Sequence, residues 1–340
     1  MITEEELGRI REYLQKSENP LFFYDDDPDG LASFLLLKKY IGRGKGVAIR
    51  SAPAMEEVYL RKITEYSPDY VFILDKPVMT QDFIDKVSVP IIYIDHHPVQ
   101  ELKGVKYFNP RIHDDADNRP TSYWCYRVTS QDLWIAMCGI IGDWHVPEFM
   151  GEFVRQYPDL VKESKDAGEI LFETQFGKLV KVFAFLLKGS TTEVKKNVSV
   201  LEKIKTPYEI LSQSSSKGRF IYKHFENINK IYEGLLEKAR KEVTKSKLLV
   251  FIYPSSKHSL TGTLSNELLF LYPDKMIVIG RRKEDKVVMS FRSMRIKVLP
   301  LLKIALEGVD GYGGGHDHAC GGGVNVDDFD KFIENLKKQL

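Results

Sequence analysis

The chain has 340 residues, of which 43% are hydrophobic and 29% charged. That balance fits a soluble globular protein of about two domains. No apolar run approaches the ~20 residues that a membrane span requires, so no membrane attachment is expected, and the acidic, helix-patterned opening "MITEEELGRIREYL" excludes a secretory signal. The net charge of +1 is unevenly spread: residues 1–150 carry 17 Lys+Arg against 24 Asp+Glu, residues 151–250 carry 19 against 13, and residues 251–340 carry 13 against 11. An acidic first part beside a basic middle suggests a cation site next to a surface that tolerates polyanions. Lysines scattered along solvated helix faces explain the basic middle about as well. Three widely separated cysteines, Cys125, Cys138 and Cys320, suit reduced thiols in a cytoplasm better than a disulfide framework or a zinc site.

Four short apolar runs recur in the first hundred residues, at Leu21–Tyr24, Val47–Arg50, Val71–Leu74 and Ile91–Ile94. Between them lie helical patterns, such as 31–41 and 55–66. Alternating strands and helices predict a doubly wound parallel sheet, in which ligands sit beyond the carboxyl ends of the strands. Acids fall at those ends: Asp25, Asp26, Asp27 and Asp29 after the first strand, Asp75 after the third, Asp95 after the fourth. Residues 119–128 read as a packed aromatic helix capped by Thr121 or Ser122, and 131–142 as a buried helix leading into Asp143. A Lys-rich helical region runs from 151 to about 245, with a linker-like break at 212–219. Strand-like runs return at 248–253, 275–280 and 286–291. They are followed by a helix at 298–309, the glycine-rich "GYGGGHDHACGGG" (311–323) and a closing amphipathic helix. This second α/β block reads as a smaller domain.

Carboxylates gathered from several strand ends are stable together only if cations neutralise them. "IIYIDHHPV" adds Asp95, His96 and His97 at one strand end. Oxygen donors with one imidazole and no thiolate suit Mn²⁺, or Mg²⁺, and argue against structural zinc. Each piece alone has a plain structural reading, an Asp-Gly turn or a surface histidine pair; their order at successive strand ends is what carries the inference.

The sequence resembles the DHH phosphoesterases, in the branch with a C-terminal DHHA1 domain that contains the RecJ-like nucleases. "DPDGLAS" (27–33) matches the family's first motif, Asp75 in "VFILDKP" the second, Asp95-His96-His97 the third and Asp143 in "GIIGD" the fourth. Gly313-Gly314-Gly315-His316 matches the DHHA1 signature. The resemblance implies a DHH catalytic domain over 1–180, a helical connector over 181–245 and a DHHA1 substrate-binding domain over 246–340. It implies two divalent cations: Asp27 on one, Asp29 on the other, Asp75 bridging, and His96 and Asp143 completing the second. Asp95 would orient the His pair and His97 would face the scissile phosphate. His316, with the amides of Gly313–Gly315, and Arg292-Ser293 would hold a substrate phosphate or terminus. Many relatives carry a histidine two residues before the first motif Asp; Asp25 stands there in this chain and is expected to replace it as a ligand, the alternative being that the first cation is held weakly with extra water, and Asp26 would lie behind it or on the surface. Arg281, Arg282, Lys283, Asp317 and His318 are weaker candidates for substrate contacts, and His113, His145 and Asn109-Pro110 for the cleft edge.

The expected function is a Mn²⁺- or Mg²⁺-dependent exonuclease on single-stranded DNA or RNA in a two-domain cleft, cytoplasmic, with a replication or repair protein such as a helicase as a possible partner. The alternatives are an oligoribonuclease or 3′-phosphoadenosine-5′-phosphate phosphatase, a cyclic-dinucleotide phosphodiesterase, and an inactive replication or repair scaffold.

Overall fold

The computed structural model describes residues 1–50, 54–55, 57–254 and 258–340. Glu56 of the predicted 55–66 helix lies outside them. Five strands, β1 (Leu21–Asp25), β2 (Lys45–Ile49), β3 (Val71–Leu74), β4 (Ile91–Ile94) and β5 (Val105–Phe108), form one sheet in the order β2-β1-β3-β4-β5. All four pairings are parallel. The unbroken apolar runs of β1, β3 and β4 follow from burial on both faces: Phe22, Phe23, Phe72, Ile73, Ile92 and Tyr93 are inaccessible to solvent. β5 is the strand that the apolar runs do not announce, because "VKYF" is buried only at Phe108.

Helices α1 (Glu4–Lys16), α2 (Pro28–Ile41), α3 (Leu60–Tyr66), α4 (Gln81–Asp85), α5 (Thr121–Thr129) and α6 (Leu133–Gly142) belong to the same layered unit. α1 opens with a capping box between Thr3 and Glu6. The predicted 55–66 helix shortens to α3, preceded by a single 3₁₀ turn at Glu57–Tyr59. α2 packs on α5 and α6. α6, "LWIAMCGIIG", is apolar all round because it is buried all round.

α7 (Met150–Gln156), α8 (Ala167–Glu173), α9 (Gln175–Leu186), α10 (Thr191–Leu201) and α11 (Pro207–Leu211) complete this unit, which spans Met1–Tyr222. α12 (Ser216–Lys241) begins inside the predicted 212–219 break, so only the first half of that stretch is loop.

The second unit, Lys223–Leu340, carries β6 (Leu248–Tyr253), α13 (Thr261–Leu271), β7 (Met276–Lys283), β8 (Lys286–Arg292), α14 (Val298–Ala305), β9 (Gly311–His316), β10 (Ala319–Asn325) and α15 (Phe329–Lys337). Its sheet runs β6-β7-β8-β10-β9, with β6 and β7 parallel and the rest antiparallel. The core includes Met276, Val278, Met289, Phe291, Leu302 and Phe332. The glycine-rich segment is a hairpin: Gly313, Gly314 and Gly315 pair with Gly322, Gly321 and Cys320. Close packing explains several of the glycines, though not Gly314. A Cβ on Gly315, whose φ is +137°, would lie 2.5 Å from the Ala319 carbonyl oxygen. All three cysteines are buried and unbridged.

Candidate metal centre

A sheet of order 2-1-3-4-5 reverses its winding between β1 and β3, and the crevice beyond their carboxyl ends is where such folds bind ligands. "DPDG" lies at that point. Asp27 caps α2 by accepting the Gly30 N–H at 2.9 Å, and Pro28 presets the first helical turn. Gly30 is required by contact: a Cβ there would sit 2.6 Å from the backbone N and O of Asp25. The same turn directs Asp29 at the start of α5. There it accepts the N–H of Thr121 at 2.8 Å, the N–H of Ser122 at 2.9 Å and the Ser122 hydroxyl. Thr121 and Ser122 are therefore the first helical residues and not the cap expected from sequence. The N-cap is Pro120, and the amides at this positive helix end serve a carboxylate from elsewhere in the fold. Read from sequence as packing, α5 is also the seat of Asp29.

Asp75 ends β3 in the left-handed region, φ 59°, a conformation that Asp tolerates better than most residues. It is buried, its N–H bonds the Ile94 carbonyl at 3.0 Å, and it accepts the Thr121 hydroxyl at 3.2 Å. Asp95, fully buried at the end of β4, accepts from His97 Nδ1 at 2.8 Å, the His97 N–H at 3.1 Å and Asn109 Nδ2 at 3.2 Å. Asn109 thus shapes the centre from behind. His96 Nδ1 lies 3.1 Å from the Asn118 carbonyl. It must donate there, which leaves the lone pair on Nε2, and Nε2 points at Asp75 Oδ1 (3.4 Å) and Asp143 Oδ2 (3.5 Å). Asp143 is the C-cap of α6.

Donor atoms of Asp29, His96 and Asp143 lie within 4.8 Å of one another, and so do those of Asp75, His96 and His97. Among the described residues Asp25 and Asp27 join neither set. Asp25 Oδ1 instead takes the Nζ of Lys76 at 2.8 Å. Lys76, next to Asp75, is only 1% exposed, and its carbonyl accepts the Tyr93 hydroxyl. Sequence reading passed it over, since a lysine after a strand is normally solvated.

The carboxylates destabilise one another when no cation is bound. Burial, with Asp25 and Asp29 nearby, pushes Asp27 up to about 7. Burial and the Asp29, Asp27 and Asp143 charges put Asp75 well above the carboxylate range. Burial lifts Asp143 to about 6, although His96 pulls the other way. Burial also opposes charge on His97, but the Asp95 hydrogen bond and the surrounding carboxylates outweigh it and raise His97 to about 9. Hard oxygens plus one imidazole, crowded enough to favour protons, fit Mn²⁺ or Mg²⁺.

Asp26 lies 3.9 Å from Lys188. His113 meets Glu6 at 3.1 Å, away from the centre, and His145 lies edge-on to Tyr123. In the second unit Arg292 donates from Nε to Asn266 at 2.8 Å and from Nη1 to the carbonyls of Phe291 and Cys320; burial lowers it to about 10. Ser293 is buried, and its hydroxyl oxygen accepts the Ile296 N–H. Gly313, Gly314, Gly315 and His316 form the exposed edge strand β9. Asp317 pairs with Lys297 at 2.8 Å and His318 Nδ1 donates to the Ser293 carbonyl, while Arg281, Arg282 and Lys283 close β7.

Residues 246–340 match the DHHA1 domain family model. The match is confined to the second unit, which is similar to DHHA1 domains. The chain's fold is that of RecJ: against RecJ from Thermus thermophilus in complex with Mn²⁺ the TM-score is 0.70, at 14% identity over 98% of this chain and 54% of that one. The chain thus spans about half the length of that relative. An exonuclease RecJ bound to manganese gives 0.65 at 14% identity, over 100% of this chain and 94% of the other. A pGpG-specific phosphodiesterase, PggH from Vibrio cholerae, gives 0.52 at 14% identity, over 95% and 98%. No curated protein matches the chain in sequence. Among the described residues no helix is long and apolar enough to cross a membrane.

Proposed function

We propose that this protein is a divalent-cation-dependent phosphoesterase that hydrolyses phosphodiester bonds of single-stranded nucleic acid from one end. The observation that carries this reading is the convergence of Asp29, His96 and Asp143 with Asp75 at the switch point of the sheet. Asp29, Asp75, His96 and Asp143 would hold Mn²⁺ or Mg²⁺, and Asp25 and Asp27 line the neighbouring side, where sequence reading expects a second cation. A cation held there supplies charge neutralisation for the phosphoryl oxygens and an acidified water as nucleophile.

The protein's own side chains do the rest. Asp95 fixes the ring of His97 through Nδ1 and favours the protonated form. A protonated His97 would donate from Nε2 to a phosphoryl oxygen as charge develops there. Asn118 fixes the tautomer of His96. Arg292, His316 and the exposed amides of β9 are read as contacts to a substrate phosphate.

A second reading shrinks the substrate to dinucleotides and short oligonucleotides. It is favoured by the match to the pGpG-specific phosphodiesterase over 98% of that enzyme's length. Digestion of end-labelled single-stranded DNA and RNA, from dimer to 20-mer, with Mn²⁺ and with EDTA, tests both. Release of mononucleotides from one end of the 20-mer supports the exonuclease. Cleavage confined to the shortest substrates supports the second reading, and no Mn²⁺-dependent hydrolysis at any length refutes both.

A further inference from the structure

Among the described residues the centre is asymmetric, and Lys76 stands on its sparser side. On one side of Asp75 an imidazole and two carboxylates already converge: Asp29 is fixed by two amides, His96 is aimed by Asn118, and Asp143 is carried on the end of α6. On the other side, among the described residues, Asp25 and Asp27 form no such set. What stands there is an ammonium group 2.8 Å from Asp25, on a side chain 1% exposed, whose backbone carbonyl is pinned by Tyr93. Its placement follows from the chain path. β1 and β3 are adjacent and parallel, with Tyr24 opposite Leu74, so Asp25 and Asp75 end neighbouring strands. The left-handed turn at Asp75 then brings the next side chain back towards the end of β1. A buried ammonium is costly unless it is paired. Asp25 pairs with it, and so one carboxylate oxygen on this side is committed.

We propose that Lys76 is a built-in cation that takes the electrostatic place of a second divalent ion, so that the protein keeps one Mn²⁺ or Mg²⁺ tightly, at Asp29, Asp75, His96 and Asp143, and admits another only weakly. This rests on the phosphoesterase reading above and sets its stoichiometry. The ammonium neutralises Asp25, removes it as a donor and repels a divalent ion brought beside it. The resident ion keeps its ligands, because Asp25, the carboxylate that the ammonium occupies, is not one of them. A weakly held second ion would arrive with the substrate, whose phosphate adds the missing negative charge.

The test is metal counting on the whole protein, stripped with EDTA and titrated with MnCl₂ alone. Isothermal titration gives the number and affinity of ions, and Mn²⁺ electron paramagnetic resonance separates isolated ions from coupled pairs. The wild type is expected to bind one ion with an isolated-ion spectrum, any second ion being weaker on the order of 100-fold. Lys76→Met should strengthen the second ion at least ~10-fold and produce the coupled spectrum. Asp25→Asn, which keeps the side-chain shape, should leave the affinity of the first ion within about 2-fold, and it serves as the decisive variant if Lys76→Met does not fold. Two ions of comparable affinity in the wild type overturn the proposal, as does a Lys76→Met protein that folds but still binds one ion, or loss of the first ion in Asp25→Asn. A wild type that binds no Mn²⁺ at all overturns the phosphoesterase reading itself.

Discussion

Stripping the protein of divalent cations should make it less stable as pH rises, in a way that Mn²⁺ cancels. Asp27 is held at about 7 against an ordinary 3.8. A group whose pKa is raised in the folded state adds stability below its unfolded value and loses it as pH climbs through the folded one. The window here is therefore about pH 4 to 7, with stability falling towards alkaline pH. The displacement corresponds to ~4 kcal/mol at ~1.4 kcal/mol per pH unit. Asp27 is not fully enclosed, so solvent screening leaves about half, ~2 kcal/mol, or ~4–8 °C in Tm for a unit of this size. The assay is thermal unfolding in EDTA from about pH 5 to about pH 8, comparing wild type with Asp27→Asn. Asparagine still caps α2 but carries no charge, so the difference between the two slopes isolates Asp27. In saturating Mn²⁺ the wild-type decline should disappear, since an ion at 100 times its Kd adds ~2.7 kcal/mol. Equal slopes for the two proteins in EDTA would refute the claim that carboxylate crowding drives cation binding.

Thr121→Val removes the hydroxyl that donates to Asp75 and leaves the α5 amides in place. Mn²⁺ affinity, read by titration, should fall ~10–100-fold, as for other groups that orient ligands. Asp95→Asn should return His97 from about 9 towards the ordinary ~6.5, followed by NMR of the histidine rings in cation-free protein; an unmoved His97 resonance would remove Asp95 from its assigned role. Gly315→Ala forces a side chain into φ +137° and against a carbonyl, whereas Gly314→Ala meets nothing within 4 Å. The first should destabilise the second unit by ~1–3 kcal/mol and the second by much less, measured by denaturant unfolding.

The residues that end strands were legible in the sequence because parallel strands buried on both faces read as uninterrupted apolar runs, and a charge directly after such a run is conspicuous. Asp75, Asp95 and His96 stand out in that way, and Asp143 stands out after the equally apolar run of α6. β5 was not legible, since only Phe108 is buried and its alternation is too short. Thr121 and Ser122 looked like helix caps, because capping preferences describe a helix and its own side chains; nothing local says that those amides will meet an aspartate 92 residues away. Lys76 was hidden for a similar reason. A lysine after a strand is normally solvated, and only the adjacency of β1 and β3 together with the backbone turn at Asp75 sends it inward. The glycines at 313–315 were visible as a signature but not as a strand, because pairing with a second glycine-rich strand is a tertiary fact.

The seat of Asp29 also bears on how this centre survives sequence drift. Two of its three partners are main-chain amides, and an amide persists through every replacement at its position except proline. The Asp29 cradle therefore outlasts side-chain changes at positions 121 and 122, although a change at 121 also takes the hydroxyl from Asp75. A chain that carries Ala or Val there would look degraded to a search for polar residues, yet it would still hold the aspartate where the ion needs it.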